Sequence, residues 1–321
     1  MARHQIVIIL LLILLPAPLL AQSGGWRTVA NIAFMNTENL YDTTDSPFDG
    51  DEEYTPTGAK RWTEERYRQK LHSIARILDD MAADIIGLAE VENEAAVRDL
   101  VQTMQEDYNY IHRTTSDRRG IDIALLYRGD RFIPDHIEQL DASSSREVLY
   151  VRGRLHGKRI DLLVWHAPSQ INEFDSRMEA MQGLYACADS LRKSSQAARV
   201  VVMGDLNATP DDEVVRRTFG RRDRWGESDR GWLMPVEGAG SYAFDGRWAL
   251  YDNIFIDSRL ADDDYEIDGG VFVRSYMLEA GNPHANNRAG YPWRTYSGDE
   301  YLGGASDHLP VFVNLKSGKL Y

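Results

Sequence analysis

Seven short apolar segments with the length of β-strands recur along the chain and constrain its fold more than any other feature. They are VANIAFM (29–35), DIIGLAE (84–90), IDIALLY (121–127), RIDLLVWH (159–166), RVVVMGD (199–205), YDNIFI (251–256) and PVFVNL (310–315). Several are apolar at consecutive positions, which is typical of strands that are covered on both faces. The segments therefore predict sheets that have packed layers on each side.

Amphipathic segments alternate with these strands. Apolar residues recur at helical spacing in 63–81, 94–104 and 174–191, and Thr63 and Asn93 are suitable N-caps for the first two helices. No repeat or low-complexity linker interrupts the sequence, and 321 residues can bury a large core. The alternation predicts α/β layers in one domain that follows the first 21 residues.

Residues 1–21 resemble an export signal. A basic start with Arg3 precedes the apolar run 6–15, and a small residue, Ala21, ends the segment. The apolar run is short for a bilayer span, although a retained N-terminal anchor is the alternative. We therefore expect cleavage near Ala21, a secreted or periplasmic mature protein, and no stable association with a membrane.

The net charge and the cysteine content argue against a DNA-coating function and against an internal disulfide. The formal net charge is −14 at pH 7, and removing Arg3 with the leader makes it −15. Such a chain is not attracted to polyanions over long distances, which argues against a DNA-coating protein. Cys187 is the only cysteine, so no internal disulfide can form. Its apolar helical setting predicts a buried, inert thiol.

Polar side chains stand at the ends of the predicted strands. Strand ends hold side chains rigidly beside open loops, so we expect these groups to cluster at one edge of the sheets. Taken singly, each has an ordinary structural explanation as a turn residue, a cap or an ion-pair partner. The set comprises Asn36, Glu38, Glu90, His166, Asp205, Asn207, Asp252, Asp307 and His308.

The chemistry of this set points to a divalent cation. Carboxylate and amide oxygens are hard ligands suited to Mg²⁺ or Mn²⁺, and the set lacks the cysteines or three histidines that zinc prefers. A histidine or aspartate beside such an ion can serve as acid, base or phosphate contact. The loop-like segments 41–62 and 274–304 are expected to form the rims of a cleft around it.

The same segments carry a family resemblance that spans nearly the whole sequence after the leader. In order, they resemble the motifs of the endonuclease/exonuclease/phosphatase superfamily, which includes deoxyribonuclease I. RTYSGDEYLGG (294–304) is similar to a segment of the exported bacterial branch. The resemblance implies a four-layer α/β sandwich, with two mixed β-sheets packed face to face, helices outside and one cleft at the sheet edges. The matching segments are FMNTENLYD (34–42), DIIGLAEVEN (84–93), GIDIALLYR (120–128), WHAPS (165–169), VVMGDLN (201–207), YDNIFI (251–256) and GGASDHLPV (303–311).

The resemblance also implies a role for each polar residue. Glu90 would be the principal ligand of Mg²⁺ or Mn²⁺, with Asn36 and Asp307 nearby. Asp205 would orient or deprotonate the attacking water, and Asn207 would hold water or phosphate.

The two histidines would contact the phosphate. His308, oriented by Asp252, would stabilise charge or transfer a proton, and His166 would be the second contact. Asp122 could orient His166, although a role on the strand surface is equally open. Gln170 stands where arginine is commoner in the exported branch, which puts substrate contacts in that loop in doubt.

Nucleic acid is the first expectation for the substrate. Arginines cluster in VVRRTFGRRDR (214–224), and they mix with aromatic residues in YPWRTY (291–296). Such segments can stack against or clamp a strand, although the arginines of the first can also offset nearby acids on a solvated face. We therefore predict a monomeric, metal-dependent nuclease with modest affinity for DNA or RNA. A phosphatase or phosphodiesterase acting on a small or lipid phosphate is the alternative, and a non-catalytic phosphate-binding protein is the third reading.

Overall fold

The computed structural model describes residues 26–46, 50–143, 146–262, 265–281 and 288–318. The leader predicted for the first 21 residues lies outside these ranges. The strands are β1 (Arg27–Leu40), β2 (Ile85–Val91), β3 (Asn109–Arg113), β4 (Asp122–Tyr127), β5 (Phe132–Ser143), β6 (Arg146–Leu155), β7 (Lys158–His166), β8 (Val200–Asp205), β9 (Trp232–Leu233), β10 (Val236–Glu237), β11 (Tyr242–Phe244), β12 (Arg247–Ala249), β13 (Asp252–Asp257), β14 (Glu266–Val271), β15 (Tyr296–Ser297), β16 (Glu300–Tyr301) and β17 (Val311–Ser317). The α-helices are α1 (Glu64–Met81), α2 (Glu94–Thr103), α3 (Phe174–Ser194), α4 (Glu213–Thr218) and α5 (Arg259–Asp262), and 3₁₀ turns cover Glu52–Tyr54 and Ser275–Met277.

Two large sheets carry the fold. The first has the strand order β10-β14-β17-β1-β2-β4-β3, and the second has the order β5-β6-β7-β8-β13-β9. Both are mixed, because β1 and β2 run parallel and β7 and β8 run parallel, whereas each of these strands has an antiparallel neighbour on its other side. β11 pairs with β12 and β15 with β16 in two small hairpins.

The burial of alternate residues on one strand shows why the apolar segments are continuous. On β1, Ile32 and Phe34 belong to a core cluster that includes Leu162 and Met203 of the second sheet. The residues between and after them, Ala33 and Met35, belong to a different cluster, which they share with residues of α1 and α2. Both faces of the strand are thus covered, as the consecutive apolar residues predict.

The second sheet is built in the same way. Trp165 of β7 is fully buried and packs in a third cluster with Met181 and Leu184 of α3. The layers therefore run from helices through two face-to-face sheets to helices, and the predicted four-layer α/β sandwich is confirmed. No helix among the described residues has the length and apolar character to cross a membrane.

The predicted helix caps are confirmed for α1 and α2. The Thr63 side chain accepts a hydrogen bond from Arg66 N, and Asn93 Oδ1 accepts one from Ala96 N at 2.9 Å. Such caps satisfy backbone donors that the first turn of a helix leaves unpaired. On α3, Cys187 is half-buried rather than buried, and burial raises the pKa of its thiol, which favours the unreactive protonated form.

The segments predicted as two rims of a cleft pack against each other. The Tyr54 and Tyr296 rings meet edge to face at 6.1 Å, and Trp62 lies 6.4 Å from Tyr301. Lys60 Nζ donates to Asp299 Oδ1 at 2.9 Å. Burying these rings removes apolar surface from water, so the described parts of the two segments form one wall rather than separate rims.

We predict that Gly204→Ala destabilises the second sheet. A Cβ at Gly204 would stand 2.1 Å from the Trp165 carbonyl oxygen on the neighbouring strand. Overpacking of this kind costs about 1–3 kcal/mol, and urea denaturation would show a lower midpoint. Gly270→Ala on β14 is the matched control, because its Cβ would have no neighbour closer than 3.5 Å. Equal midpoints for the two variants would contradict the prediction.

Candidate active site

Strand register brings three of the predicted residues side by side in the second sheet, at the carboxyl ends of β7 and β8 and the start of β13. His166 pairs with Asp205 across the parallel β7 and β8, and Asp205 pairs with Asp252 across the antiparallel β8 and β13. Residues in register on adjacent strands project to the same face, so their side chains are neighbours. The register explains how residues that are far apart in sequence meet.

Asn36, on the central strand β1 of the first sheet, connects the two sheets. Its Nδ2 donates to Glu90 Oε1 on β2 and to Asp205 Oδ2 on β8, both at 3.1 Å, and the residue is 1% exposed. Its Oδ1 accepts the backbone N–H of Glu38 at 2.8 Å, which fixes the orientation of the amide. Asn36 is therefore a donor to two carboxylates, and ligation of a metal through its oxygen would require the amide to turn.

Glu90 is held in an uncommon backbone conformation. Its φ is 61°, and Glu38 and Asn39, across the irregular register between β1 and β2, have φ values of 49° and 56°. Non-glycine residues seldom adopt this region, and such strain is concentrated at functional sites. The Asn39 N–H donates to Glu90 Oε2 at 3.0 Å, which aims the carboxylate into the site.

Asp205 lies between the two histidines. His166 Nε2 is 3.8 Å from Asp205 Oδ2 and 3.6 Å from Glu90 Oε1, and His308 Nε2 is 3.9 Å from the same Asp205 oxygen. On its other nitrogen, His308 Nδ1 makes a 2.7 Å hydrogen bond with Asp252 Oδ2. The structure therefore places Asp252 where the resemblance implies it, against the ring of His308.

The two histidines differ in charge because their carboxylate neighbours differ. Burial lowers the pKa of His166 to about 4, although Asp205 opposes the shift, so the imidazole is neutral near pH 7. Burial alone would also lower the pKa of His308, but Asp252 and then Asp205 outweigh it and raise that pKa well above its ordinary value. The site thus combines a neutral imidazole that can accept a proton with a cationic one that can donate.

Asn207 is fixed directly after β8. Its backbone N–H donates to Asp205 Oδ1 at 2.8 Å, its φ is 44°, and its Nδ2 donates to the Ala167 carbonyl at 3.2 Å. Gln170 Nε2 and Arg177 Nη2 each donate to the Asn207 carbonyl at 3.1 Å. Gln170 and an arginine of α3 therefore brace this turn, although the loop itself lacks the arginine commoner in the exported branch.

Asp307 lies at the mouth of the site. Its side chain is 19% exposed, its Oδ1 is 3.9 Å from His308 Nε2, and its Oδ2 is 3.6 Å from Arg294 Nη2. Adjacent residues of the GGASDHLPV segment thus both face the site, which explains why an aspartate and a histidine stand side by side before the last strand.

The donor set suits a hard divalent cation. Glu90, Asp205 and Asp307 supply carboxylate oxygens of the kind that Mg²⁺ and Mn²⁺ prefer. Within the described residues, one group of three possible ligands has its atoms within 4.8 Å of one another, namely Asp205, Asp252 and His308. The short His308–Asp252 hydrogen bond already engages two atoms of that group, whereas the carboxylates of Glu90 and Asp307 are more exposed, at 14% and 19%.

Sequence reasoning missed a buried lysine and a nearby glutamate beside the site. Lys70 Nζ donates to the Glu38 carbonyl at 2.6 Å and to Thr295 Oγ1 at 2.5 Å, and the Glu38 carboxylate accepts the N–H groups of Thr295 at 2.7 Å and Tyr296 at 3.2 Å. Burial, and next Asp307, raises the pKa of Glu38 to about 7, and burial lowers the pKa of Lys70 to about 8. The signal in the sequence was a lysine on the apolar face of α1.

The structure gives Asp122 a different partner from the one suggested by the sequence. Asp122 Oδ2 lies 2.8 Å from His112 Nε2, and its Oδ1 accepts the Thr115 N–H at 2.7 Å, so the structure pairs Asp122 with a different histidine from His166.

In the arginine cluster 214–224, local acids take up part of the charge. Arg217 pairs with Glu213, and Arg222 Nη2 lies 2.9 Å from Asp211 Oδ2. Arg217 and Arg222 therefore offset nearby acidic residues, as the alternative interpretation of this cluster predicts.

Carboxylates, an amide and two histidines at the edges of a two-sheet sandwich define a class of phosphoric ester hydrolase. The chain belongs to the endonuclease/exonuclease/phosphatase family, whose model matches residues 31–317. The recognised family and the class of enzyme are thereby confirmed. Comparison with curated protein sequences gives no match.

Solved structures share the fold at low sequence identity. A mannosyl-6-phosphatase from Bacteroides thetaiotaomicron VPI-5482 is 16% identical with a TM-score of 0.59, and the match covers 89% of this chain and 99% of that one. An endonuclease/exonuclease/phosphatase family protein from the same species is 15% identical, with a TM-score of 0.61 and coverages of 91% and 97%. Truncated TDP2 from Caenorhabditis elegans is 16% identical, with a TM-score of 0.55 and coverages of 89% and 97%.

We predict that Asp252→Asn moves the alkaline limb of the pH–rate profile to lower pH. A raised pKa keeps His308 protonated below that pKa, and the protonated form is lost as the pH rises through it. Removing the Asp252 charge lowers the pKa of His308, so activity is lost at a lower pH. Initial rates at neutral and alkaline pH on a phosphodiester with an alkoxide leaving group, whose departure needs a proton, would show the shift. Asp268→Asn, on β14, is the control, and an alkaline limb that does not move in Asp252→Asn would contradict the assignment.

We predict that Lys70→Met lowers the free energy of unfolding by about 1–3 kcal/mol, because it leaves the Glu38 carbonyl and the Thr295 hydroxyl without the buried ammonium group that donates to them. Urea denaturation measures the change. Since the charge of Lys70 also favours the ionised Glu38 carboxylate, combining Lys70→Met with Glu38→Gln should recover part of the loss. Lys316→Met, which removes a surface partner of Asp268, should cost less. A Lys70→Met protein as stable as the Lys316→Met protein would rule out Lys70 as a stabilising residue.

Proposed function

We propose that this chain is an exported, Mg²⁺- or Mn²⁺-dependent nuclease that hydrolyses phosphodiester bonds of DNA or RNA. The observation that carries the proposal is the position of Asp205 between a neutral and a cationic histidine, beside Glu90. In-line attack of water on a phosphodiester needs a group that accepts the water proton, a group that stabilises the leaving oxygen and positive charge on the nonbridging oxygens. The site supplies all three kinds of group.

In this mechanism the substrate phosphate lies between His166 and His308. Asp205 orients the water and takes its proton as the new P–O bond forms, and Asn207 fixes the Asp205 carboxylate through its N–H. His308 Nε2, which faces the site because Nδ1 is bound to Asp252, donates a proton to the leaving oxygen as the old P–O bond breaks.

The remaining groups hold the phosphate in place. The neutral imidazole of His166 hydrogen-bonds a nonbridging oxygen of the phosphate. A divalent ion held by Glu90 with Asp205 and Asp307 supplies Lewis acidity to the phosphate when bound.

Nucleic acid is the proposed substrate because cationic and aromatic side chains adjoin the site. Arg294 lies next to Asp307, and the cavity that it lines also presents the rings of Phe244 and Tyr291. Rings and guanidinium groups beside a phosphate site are what a nucleotide chain requires. The protein is acidic overall, so we expect modest, salt-sensitive affinity. Export and a monomeric state are part of the proposal, and N-terminal sequencing of the exported protein tests cleavage near Ala21.

An assay panel separates this function from the alternatives. The purified protein is incubated with Mg²⁺ or Mn²⁺, with and without chelator, on plasmid, single-stranded DNA, RNA, bis-p-nitrophenyl phosphate and mono-p-nitrophenyl phosphate. We expect chelator-sensitive cleavage of the polymers, reduced roughly 10²- to 10³-fold or more in Asp205→Ala and in His308→Ala. Asp135→Ala and His136→Ala on β5 are matched controls.

Two outcomes would overturn the proposal. Hydrolysis of the monoester alone would assign the chain to the phosphatases of small or lipid phosphates. Inactivity on every phosphate ester with both metals would instead favour a binding protein.

A further inference from the structure

A cavity of about 650 Å³ adjoins the site through Arg294. The Arg294 guanidinium is 3.6 Å from the Asp307 carboxylate, and Asp307 Oδ1 is 3.9 Å from His308 Nε2. The part of a substrate that binds in this cavity would therefore be attached to the reacting phosphate on the side that faces His308. The cavity is lined by Phe244, Asp245, Arg288, Tyr291, Arg294 and Ser297, together with two small residues.

The walls of the cavity are held in place before any ligand binds. Asp245 and Gly246 have φ values of 45° and 77°, as the tight turn of the β11–β12 hairpin requires. The Gly246 N–H donates to the Tyr291 hydroxyl at 2.6 Å, and the Trp248 ring meets Tyr291 edge to face at 6.0 Å. A pre-formed wall reduces the entropy lost on binding.

The opposite wall is fixed by hydrogen bonds to Glu38. The Glu38 carboxylate accepts the backbone N–H groups of Thr295 and Tyr296, which directly follow Arg294. The Arg294 segment is thus anchored to β1 beside the candidate active site.

The lining has the chemistry of a nucleobase site. Phe244, at the tip of the hairpin, is 65% exposed, so its ring can be covered by a stacked ligand, and Tyr291 supplies a second ring. Arg288 and Ser297 can donate to acceptors on a base edge, and Asp245 can accept from an amino group. A lipid tail would place apolar groups against the Arg288 guanidinium and the Asp245 carboxylate, so the lining favours a ligand that has both an apolar face and polar edges.

We propose that this cavity is a subsite for one nucleobase adjacent to the scissile phosphate, on the side of His308. The proposal rests on the proposed nuclease function and makes it more specific. Phe244 and Tyr291 stack the base, Arg288 and Asp245 contact its edge, and Arg294 joins the base subsite to the phosphate site. Efficient cleavage then needs a base on that side, which a dinucleotide that is abasic there does not provide.

The test compares kcat/KM for a dinucleotide with kcat/KM for the analogue that lacks the base on the leaving-group side, in the full-length protein. In Phe244→Ala the ratio of the two should fall about tenfold, the size expected when one stacking contact is lost, and Arg288→Ala should lower it in the same direction. Ile133→Ala, which removes a side chain that is 64% exposed on β5, and Arg152→Ala on β6 should leave the ratio unchanged. An unchanged ratio in Phe244→Ala overturns the subsite.

A binding measurement separates failure of the subsite from failure of the nuclease function. Fluorescence anisotropy of a labelled oligonucleotide is recorded with Asp205→Ala, alone and combined with Phe244→Ala. Weaker binding in the double variant supports the subsite. If the wild-type protein cleaves oligonucleotides and Phe244→Ala has no effect in either assay, the subsite is wrong and the nuclease function stands. Hydrolysis of small esters with neither cleavage nor binding of oligonucleotides would overturn both.

Discussion

The Asn36 amide is the interaction on which the rest of the site depends. One Nδ2 group donates to Glu90 of the first sheet and Asp205 of the second, and the Glu38 N–H holds its oxygen in place. Two carboxylates that would repel each other are therefore kept together where the two sheets meet. Since the amide is buried, these hydrogen bonds act where water does not compete with them.

The charges of the two histidines follow from their positions relative to Asp205 and Asp252. Asp205 is buried between two histidines, yet only His308 also has Asp252 against its ring at hydrogen-bonding distance. One imidazole is thus neutral and the other cationic, although both are equally withdrawn from water. Two chemically identical side chains thus acquire different charges from the carboxylates beside them.

Continuous apolar runs alternating with amphipathic helices were enough to predict α/β layers, and the polar residues at strand ends were enough to predict that Glu90, Asp205 and His308 cluster. The four-layer sandwich itself was implied by the family resemblance. Hydrophobic periodicity reports which residues are covered, and strand ends report which are held beside loops. Side-chain orientation is not encoded in this way.

The orientation of Asn36 depends on the Glu38 N–H in a left-handed turn, and the partner of Asp122 depends on register with β3. The role of Lys70 depends on a segment more than two hundred residues away. Such contacts emerge only when the tertiary structure is known.

The most direct test of the account is the position of the ion and the phosphate in a crystal of the protein grown with Mn²⁺ and a phosphorothioate dinucleotide. Anomalous scattering locates both manganese and sulfur. The account predicts manganese bound to the Glu90 carboxylate and the phosphorus centre between the rings of His166 and His308. Manganese coordinated by Asp252 and His308, or a phosphate bound away from both histidines, would contradict it.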